Sequence, residues 1–368
     1  MKITRVEPIH VAIPYDHGAP KPMRHGMGSW DTQPILFVKV ETDAGIVGWG
    51  EAFSHASTPV TSVAVSQIVA KLAVGREAAD FPALMADLTR RTQSMGRNGP
   101  VQFALSGLDI ALWDIAGKIA GEPVWRLLGG QGTKATVPAY ASLFRLGTPE
   151  LVAKVAAKAV ERGYRAIKLH EHSVACVAAA RAAIGPDTAL MVDANCFWSS
   201  ADEIVAVCKE LEPYDVAWIE EPLYPADAYD DLAGIRKAVG VPIAAGENLG
   251  NYNDVRAITA ARAVDVLQPS VCKMGGLTEM RKAIGYAGLY PDVRAVPHSP
   301  FLGPALVAAI HMIAAMPGEV MCEHRFCDLE ASPLGDAVVS KDGRLAVPGG
   351  PGLGFEIDED AIGRYRVH

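Results

Sequence analysis

The period of the hydrophobic pattern changes near residue 130. Before it, "ITRVEPIHVAIP", "PILFVKVETDAG" and "IVGWGEA" alternate apolar and polar positions, with a Gly-containing turn between the last two. That two-residue period is the mark of half-buried antiparallel strands. Helical spacing follows in "TSVAVSQIVAKLAVG", "ADFPALMADLTRRTQ" and "GPVQFALSGLDIALWDIAGKIAG". Strands first and helices after predict an α+β unit over residues 1–130. "GGQGTK" marks the boundary, near Gly132. Beyond it, short apolar runs ending near Ser142, His170, Asn195, Glu221, Asn248, Ser270, His298 and His324 alternate with helical stretches such as "PELVAKVAAKAVERG". Eight βα units in about 200 residues predict a compact (β/α)₈ barrel over 131–328. After Asp328 the rhythm breaks. "DGRLAVPGGPGLGFEID" reads as Gly/Pro-rich and hairpin-like, and residues 329–368 are expected to return to the first unit.

The barrel strands end on ionisable residues. Asp193 closes "ALMVDAN", Glu220 closes "VAWIE" and Glu247 closes "VPIAAGE", 27 residues apart each time. Parallel strands of a closed barrel all end at one face, so three carboxylates converge there. Such a set suits a hard dication such as Mg²⁺, with positions left open for substrate. The second strand gives Lys168 and His170, two apart and therefore on one face. The seventh gives His298 and the eighth Glu323, while the sixth ends on the neutral Ser270. A cation and a lysine together would offset the charge that develops when a proton is taken from carbon next to a carboxylate. His298 and the Lys168/His170 pair flank the arc of acids from opposite sides, one candidate base on each face.

Bulk properties narrow the setting. Half of the 368 residues are apolar, enough for a large core. A formal charge of −8 and the lack of a basic stripe argue against nucleic acid. Six cysteines without CxxC spacing read as buried thiols of a reducing compartment. With neither a secretory leader nor an apolar run of membrane-spanning length, a cytoplasmic protein without membrane contact is expected.

The phrases "VDAN", "WIEEP", "GEN", "VLQPSVCKMGG" and "VPHSP", with "ALSGLDIALWDIAGK" and "WRLLGG" before them, resemble the enolase superfamily in its mandelate racemase and muconate lactonizing enzyme branch. The resemblance covers essentially the whole chain. It implies a modified (β/α)₈ TIM barrel under an α+β capping domain, with Asp193, Glu220 and Glu247 holding one Mg²⁺ per subunit and Mn²⁺ as a substitute. By the same resemblance Asn195 supports the metal shell and His298 is the base of the seventh strand. Glu323 hydrogen-bonds the substrate carboxylate, and Lys168 is the first lysine of a paired KxK motif. Two positions depart from the family pattern: His170 replaces the second lysine, and Ser270 replaces the aspartate that pairs with the histidine. Ser270 can orient the imidazole but adds no charge. Lys273 reads as structural, and Glu221 and His172 as parts of the surrounding polar network.

The Gly/Pro-rich stretch "YDHGAPKPMRHGMGSW" carries His17, Lys21, Arg24, His25 and Trp30 and is expected to lie over the barrel mouth, with "FSHAST" as a second lid contact. Its cationic character suits an anionic, hydroxylated small molecule. The expected activity is metal-dependent removal of the proton α to a carboxylate, leading to dehydration of an acid sugar to a 2-keto-3-deoxy acid. Racemisation, epimerisation or cycloisomerisation of a carboxylic acid is the alternative, and a non-catalytic ligand-binding member of the family is a third reading. A homo-oligomer is the default for such a protein.

Overall fold

The computed structural model describes residues 1–20, 23–25 and 28–367, with side chains described outside 21–30. The first unit is built on an antiparallel sheet of β1 (Ile3–Asp16), β2 (Thr32–Thr42) and β3 (Val47–Ala52). Alternation along β1 buries Val11, Ile13 and Tyr15 on one side. The helices α1 (Phe81–Thr92) and α2 (Pro100–Ala120) follow, α2 opening on a proline and closing on Gly121 in the left-handed region. The helical stretch expected over residues 61–75 lies in a short α-helix from Thr58, a π-helical turn over Ala64–Val69 and a further α-turn that ends at Ala73.

Helix α2 is buried along most of its length. A glycine pair lets it lie against the sheet: a Cβ on Gly50 would stand 2.0 Å from the Gly107 carbonyl. Its acids reach outward to other elements. Asp114 accepts the N–H groups of Trp49 at 2.9 Å and Leu353 at 2.8 Å.

The second unit is a curled sheet of eight parallel strands: β4 (Thr136–Ser142), β5 (Ala166–Leu169), β6 (Ala189–Asp193), β7 (Val216–Glu220), β8 (Ile243–Ala245), β9 (Val266–Leu267), β10 (Arg294–Ala295) and β11 (Cys322–Arg325). β11 returns to pair with β4 in parallel, as a barrel requires. Between β10 and β11 the link is a side chain: Ser299 donates its N–H to Glu323 Oε2 at 3.2 Å and its hydroxyl to the Glu323 carbonyl at 3.0 Å. Helices α3 (Pro149–Glu161), α4 (Val174–Ile184), α5 (Ala201–Leu211), α6 (Tyr229–Ala238), α7 (Tyr252–Ala260), α8 (Gly276–Ala287) and α9 (Pro304–Ala315) fill the intervals.

Strands β8 to β10 are two or three residues long, shorter than the apolar runs suggest. Pro269 and Pro297 have no N–H to donate to a ladder, so Ser270 and His298 stand beyond the regular strands. An isolated parallel bridge between Ser270 and His298 still keeps them in register.

The two units meet through buried acids at helix starts. Asp109 of α2 accepts the Thr278 N–H at 3.0 Å and its hydroxyl at 2.6 Å, in the first turn of α8. Glu51 of β3 accepts the Ala305 N–H at 2.8 Å, in the first turn of α9. Helix N-termini suit such acceptors, yet burial still pushes Asp109 up to about 7 and Glu51 up to about 8.

The C-terminal segment runs over both units. β12 (Asp328–Leu329) pairs with Tyr15 and Asp16 at the end of β1, while β13 (Arg344–Ala346) pairs antiparallel with β4. The stretch expected as a hairpin contains no such ladder beyond the Lys341–Arg344 bridge, its Pro and Gly residues leaving few strand positions. α10 (Glu359–Tyr365) then packs on β1, and Val367 donates to the His10 carbonyl at 2.9 Å.

Candidate active site

Inside the barrel, Tyr140, Ala166, Met191, Trp218, Ala244, Val266 and Val296 form one apolar layer. Side chains two residues apart on a strand share a face. The next layer toward the strand ends is therefore Ser142, Lys168, Asp193, Glu220, Gln268 and His298, joined by Glu323 of β11, and all are buried. At β8 the alternation shifts by one. Gly246 sits at φ +135, and the carboxylate is carried by the following residue, Glu247.

The structure brings Asp193, Glu220 and Glu247 together, each offering an oxygen within 4.8 Å of the others'. Each acid is held by its own set of partners. Asp193 Oδ1 accepts the backbone N–H of Asn195 at 3.0 Å and its side-chain amide at 2.9 Å. Glu220 Oε2 accepts from Gln268 Nε2 at 2.8 Å and from Trp218 Nε1 at 3.3 Å. Glu247 divides its oxygens between Lys273 Nζ at 2.8 Å and His298 Nε2 at 3.0 Å.

Lys168 sits at the centre of one flank. Its ammonium lies 3.0 Å from Asp193, 2.8 Å from Glu220 and 2.8 Å from Glu323. Burial works against that charge, but the three carboxylates outweigh it and hold Lys168 well above the ordinary lysine value. His170 places Nε2 at 3.3 Å from Asp193 Oδ2 and turns Nδ1 to the Leu143 carbonyl at 2.5 Å, which makes Nδ1 the protonated nitrogen. On the other flank, His298 Nδ1 meets Ser270 Oγ at 3.2 Å, and Phe301 packs edge-on to the imidazole with ring centroids 5.6 Å apart.

The residues fit a dication. Four acids, Asp193, Glu220, Glu247 and Glu323, face two ammoniums, leaving two negative charges in excess. That excess shows in the titration of Glu220, pushed well above the carboxylate range by burial and by Asp193 beside it. Glu221, behind the trio and hydrogen-bonded to Asn248 Nδ2 at 2.9 Å, is pushed up to about 8 by burial and Glu247. An all-oxygen donor set with a −2 surplus in a dry site suits Mg²⁺ better than a soft metal.

Lys273 needs a correction. It reads as structural in the sequence, but its ammonium reaches Glu247, lies 3.1 Å from Asn248 Oδ1 and stands 4.4 Å over the Phe53 ring of the first unit. The turn after Ser270, closed by the Lys273 N–H on the Ser270 carbonyl, coils it back toward the acids. A lysine set among the buried Val271, Cys272 and Met274 was the available signal. Gln268 was also missed, standing two residues before Ser270.

Of the lid candidates, His17 is buried beside Tyr15 and Phe144, ring centroids 5.6 and 5.1 Å away. Lys21 lies outside the described residues. Arg24, His25 and Trp30 are described in their backbone only, Met23–His25 pairing with Gly28–Trp30. From the second lid stretch, His55 faces Arg325, Lys273 and His298; burial first, then the charges of Arg325 and Lys273, push it down to about 3, so it is neutral near pH 7. His172 stacks on Phe197 with ring centroids 3.7 Å apart and contacts Arg145. All six cysteines are free thiols, and among the described residues no helix is long and apolar enough to cross a membrane.

Comparison with known proteins agrees with this architecture. Residues 9–129 match the family described as the mandelate racemase / muconate lactonizing enzyme N-terminal domain, and residues 150–361 the enolase C-terminal domain-like family. A D-galactarolactone cycloisomerase of Agrobacterium fabrum is 34% identical, over 100% of this chain and 99% of its own. A D-galactonate dehydratase of Pectobacterium atrosepticum is 33% identical, over 89% of this chain and 90% of its own. Among solved structures, the 3,6-anhydro-D-galactonate cycloisomerase of Zobellia galactanivorans superposes with a TM-score of 0.87 at 30% identity, covering 100% of both chains. A racemase of Streptomyces coelicolor with bound magnesium gives a TM-score of 0.88 at 27% identity, covering 99% of this chain and 100% of its own. Sequence motifs, barrel topology and both matched domains together make this chain a member of the enolase superfamily, in its mandelate racemase and muconate lactonizing enzyme branch.

Proposed function

We propose that this protein removes the proton α to the carboxylate of an acid sugar and eliminates water, giving a 2-keto-3-deoxy acid. The observation that carries the reading is the trio Asp193, Glu220 and Glu247 with Lys168 and His170 on one side and His298 on the other. The trio would hold one Mg²⁺ per subunit, or Mn²⁺ in its place, and the cation would neutralise the substrate carboxylate. Lys168 adds a second positive charge to that end of the substrate, held in place by Glu323. His298, its ring oriented by Ser270, takes the C2 proton or delivers a proton to the departing C3 hydroxyl. The C3–O bond breaks, hydroxide leaves as water, and the enol tautomerises to the ketone. His170 directs its Nε2 toward Asp193 and stands as the candidate base on the opposite face.

A second reading, cycloisomerisation of a sugar-acid lactone, is favoured by Lys273. That ammonium reaches Glu247, the acid that also meets His298, on the flank where Ser270 replaces the dyad aspartate. Two relatives named as cycloisomerases also cover the whole chain. The two readings differ in the product. Dehydration yields a keto acid lighter than the substrate by one water and, in D₂O, deuterium at C3; cycloisomerisation yields a product of unchanged mass. A panel of sugar acids and lactones assayed with Mg²⁺, and after chelation, separates them. Glu220→Gln is expected to lose Mg²⁺ binding by calorimetry together with turnover. Full activity in the chelated protein would sink both readings.

A further inference from the structure

Strand β11 places Glu323 and Arg325 on the same face, two residues apart. The two differ in how their charge is met. Glu323 is occupied by Lys168 at 2.8 Å and the Ser299 N–H at 3.2 Å. Arg325 is only 9% exposed, yet among the described residues no carboxylate comes within ion-pair distance of it. It donates one hydrogen bond, from Nε to the Pro300 carbonyl at 2.8 Å, and its guanidinium lies 5.0 Å over the Phe144 ring. Burial lowers its pKa, but a guanidinium stays charged in a protein. Glu323 and Glu247 act on it only from beyond ion-pair distance, and a buried charge so poorly met is expensive.

Arg181 shows what a purely structural arginine looks like here. It has no acid partner either, but donates to four backbone carbonyls, of Tyr214, Gly185, Thr188 and Asp215. Arg162 and Arg236 pair with acids near the surface. Arg325 has neither solution, and most of its planar fork is left to meet something else.

Its position says what. Arg325 lies two residues beyond Glu323 along β11, where its charge acts on His55 of the first unit. The first unit covers it from above: Phe144 stacks on Tyr15 at 5.1 Å, and the neutral His55 faces Arg325. Among the described residues the cover brings no carboxylate within ion-pair distance of this arginine, which leaves a cationic, covered end beyond Glu323. A guanidinium fork matches a carboxylate in two parallel hydrogen bonds.

We propose that Arg325 binds a second carboxylate at the far end of the substrate, so that the substrate is a dicarboxylic sugar acid, an aldarate or its monolactone, and not a monocarboxylic aldonate. The proposal rests on the acid-sugar reading of the site. The test compares six-carbon aldarates and their monolactones with the matching aldonates, in Mg²⁺, for wild type, Arg325→Met and Arg325→Lys, with circular dichroism to confirm folding. Wild type is expected to favour diacids in kcat/KM, and Arg325→Met to shrink the diacid-to-monoacid ratio by on the order of 10²-fold. Arg325→Lys, which keeps charge but loses the fork, falls between and serves if the Met variant does not fold. A wild type that favours aldonates, or variants that lower both classes equally, would overturn the proposal. Failure of the underlying reading looks different: neither class is turned over. Calorimetry with Mg²⁺ then decides, because a diacid binding preference lost in Arg325→Met upholds the subsite and the absence of any preference removes it.

Discussion

The two flanks of the carboxylate trio are built on different principles. On the β5 side, Lys168 is fully buried and fixed by Asp193, Glu220 and Glu323, all carried by barrel strands. On the β10 side, Lys273 and His298 share Glu247, and their other contacts lead outward: Lys273 to Phe53 of the first unit, His298 to Ser270 and Phe301. The barrel alone sets the charge on the first flank. The second is shaped jointly by the barrel and the unit that covers it. A positive charge meant to stay put belongs where folding over-determines it; a proton carrier belongs where a neutral hydroxyl orients it and a covering ring can press on it.

The sharpest break in that contrast comes from Lys168→Met. Three buried carboxylates would lose their ammonium, and removing one partner of a buried ion pair costs about 3 kcal/mol or more. Denaturant unfolding in chelator should show that loss, partly recovered in Mg²⁺, with turnover down on the order of 10³-fold or more. His298→Asn should lower turnover on the order of 10²-fold or more while calorimetric Mg²⁺ affinity stays near wild type; equal loss of both would mean that this flank also builds the metal site.

Glu51→Gln probes the seating of the cover. Glu51 has its folded pKa raised from 4.5 to about 8 by burial. Its neutral form is the one folding favours, so its contribution is greatest below the unfolded carboxyl pKa and is lost as pH rises through about 8. Wild-type stability should fall between pH 5 and pH 8, and Glu51→Gln should flatten that fall by on the order of 1–3 kcal/mol, read from urea midpoints across the range. Phe53→Leu removes the ring under Lys273 and should lower kcat/KM by up to about ten-fold, with Mg²⁺ affinity unchanged. Ser270→Ala loses one neutral hydrogen bond, for a decrease of about three- to ten-fold; no change would leave the His298 ring oriented by Glu247 and Phe301.

The fold was legible because its signals are periodic. The switch from two-residue alternation to evenly spaced βα units separates the antiparallel sheet from the barrel, and the acids at a constant interval mark successive strand ends. What the sequence hid depends on geometry off the regular lattice. Pro269 and Pro297 shorten the ladders, so Ser270 and His298 are held by an isolated bridge and not by extended strands. Gly246 shifts the alternation, a backbone event that no hydrophobic pattern records. Lys273 reaches Glu247 through a turn, and Arg325 is exceptional only for the partner it lacks, which requires coordinates to see. The basic residues of the lid stretch lie at or beyond the edge of the described side chains, so their expected place over the mouth stays a reading of composition.

The strap formed by residues 328–367 has a bearing on biogenesis. β1 is made about 300 residues before its partners: the edge from His10 to Asp16 takes its closing hydrogen bonds from Asp328–Glu330 and Val367. Until those partners are made, that strand presents unpaired amides to whatever it meets, and an open β edge invites pairing with a neighbouring nascent chain. A product truncated before residue 328 would therefore carry an exposed adhesive edge however well its barrel had folded.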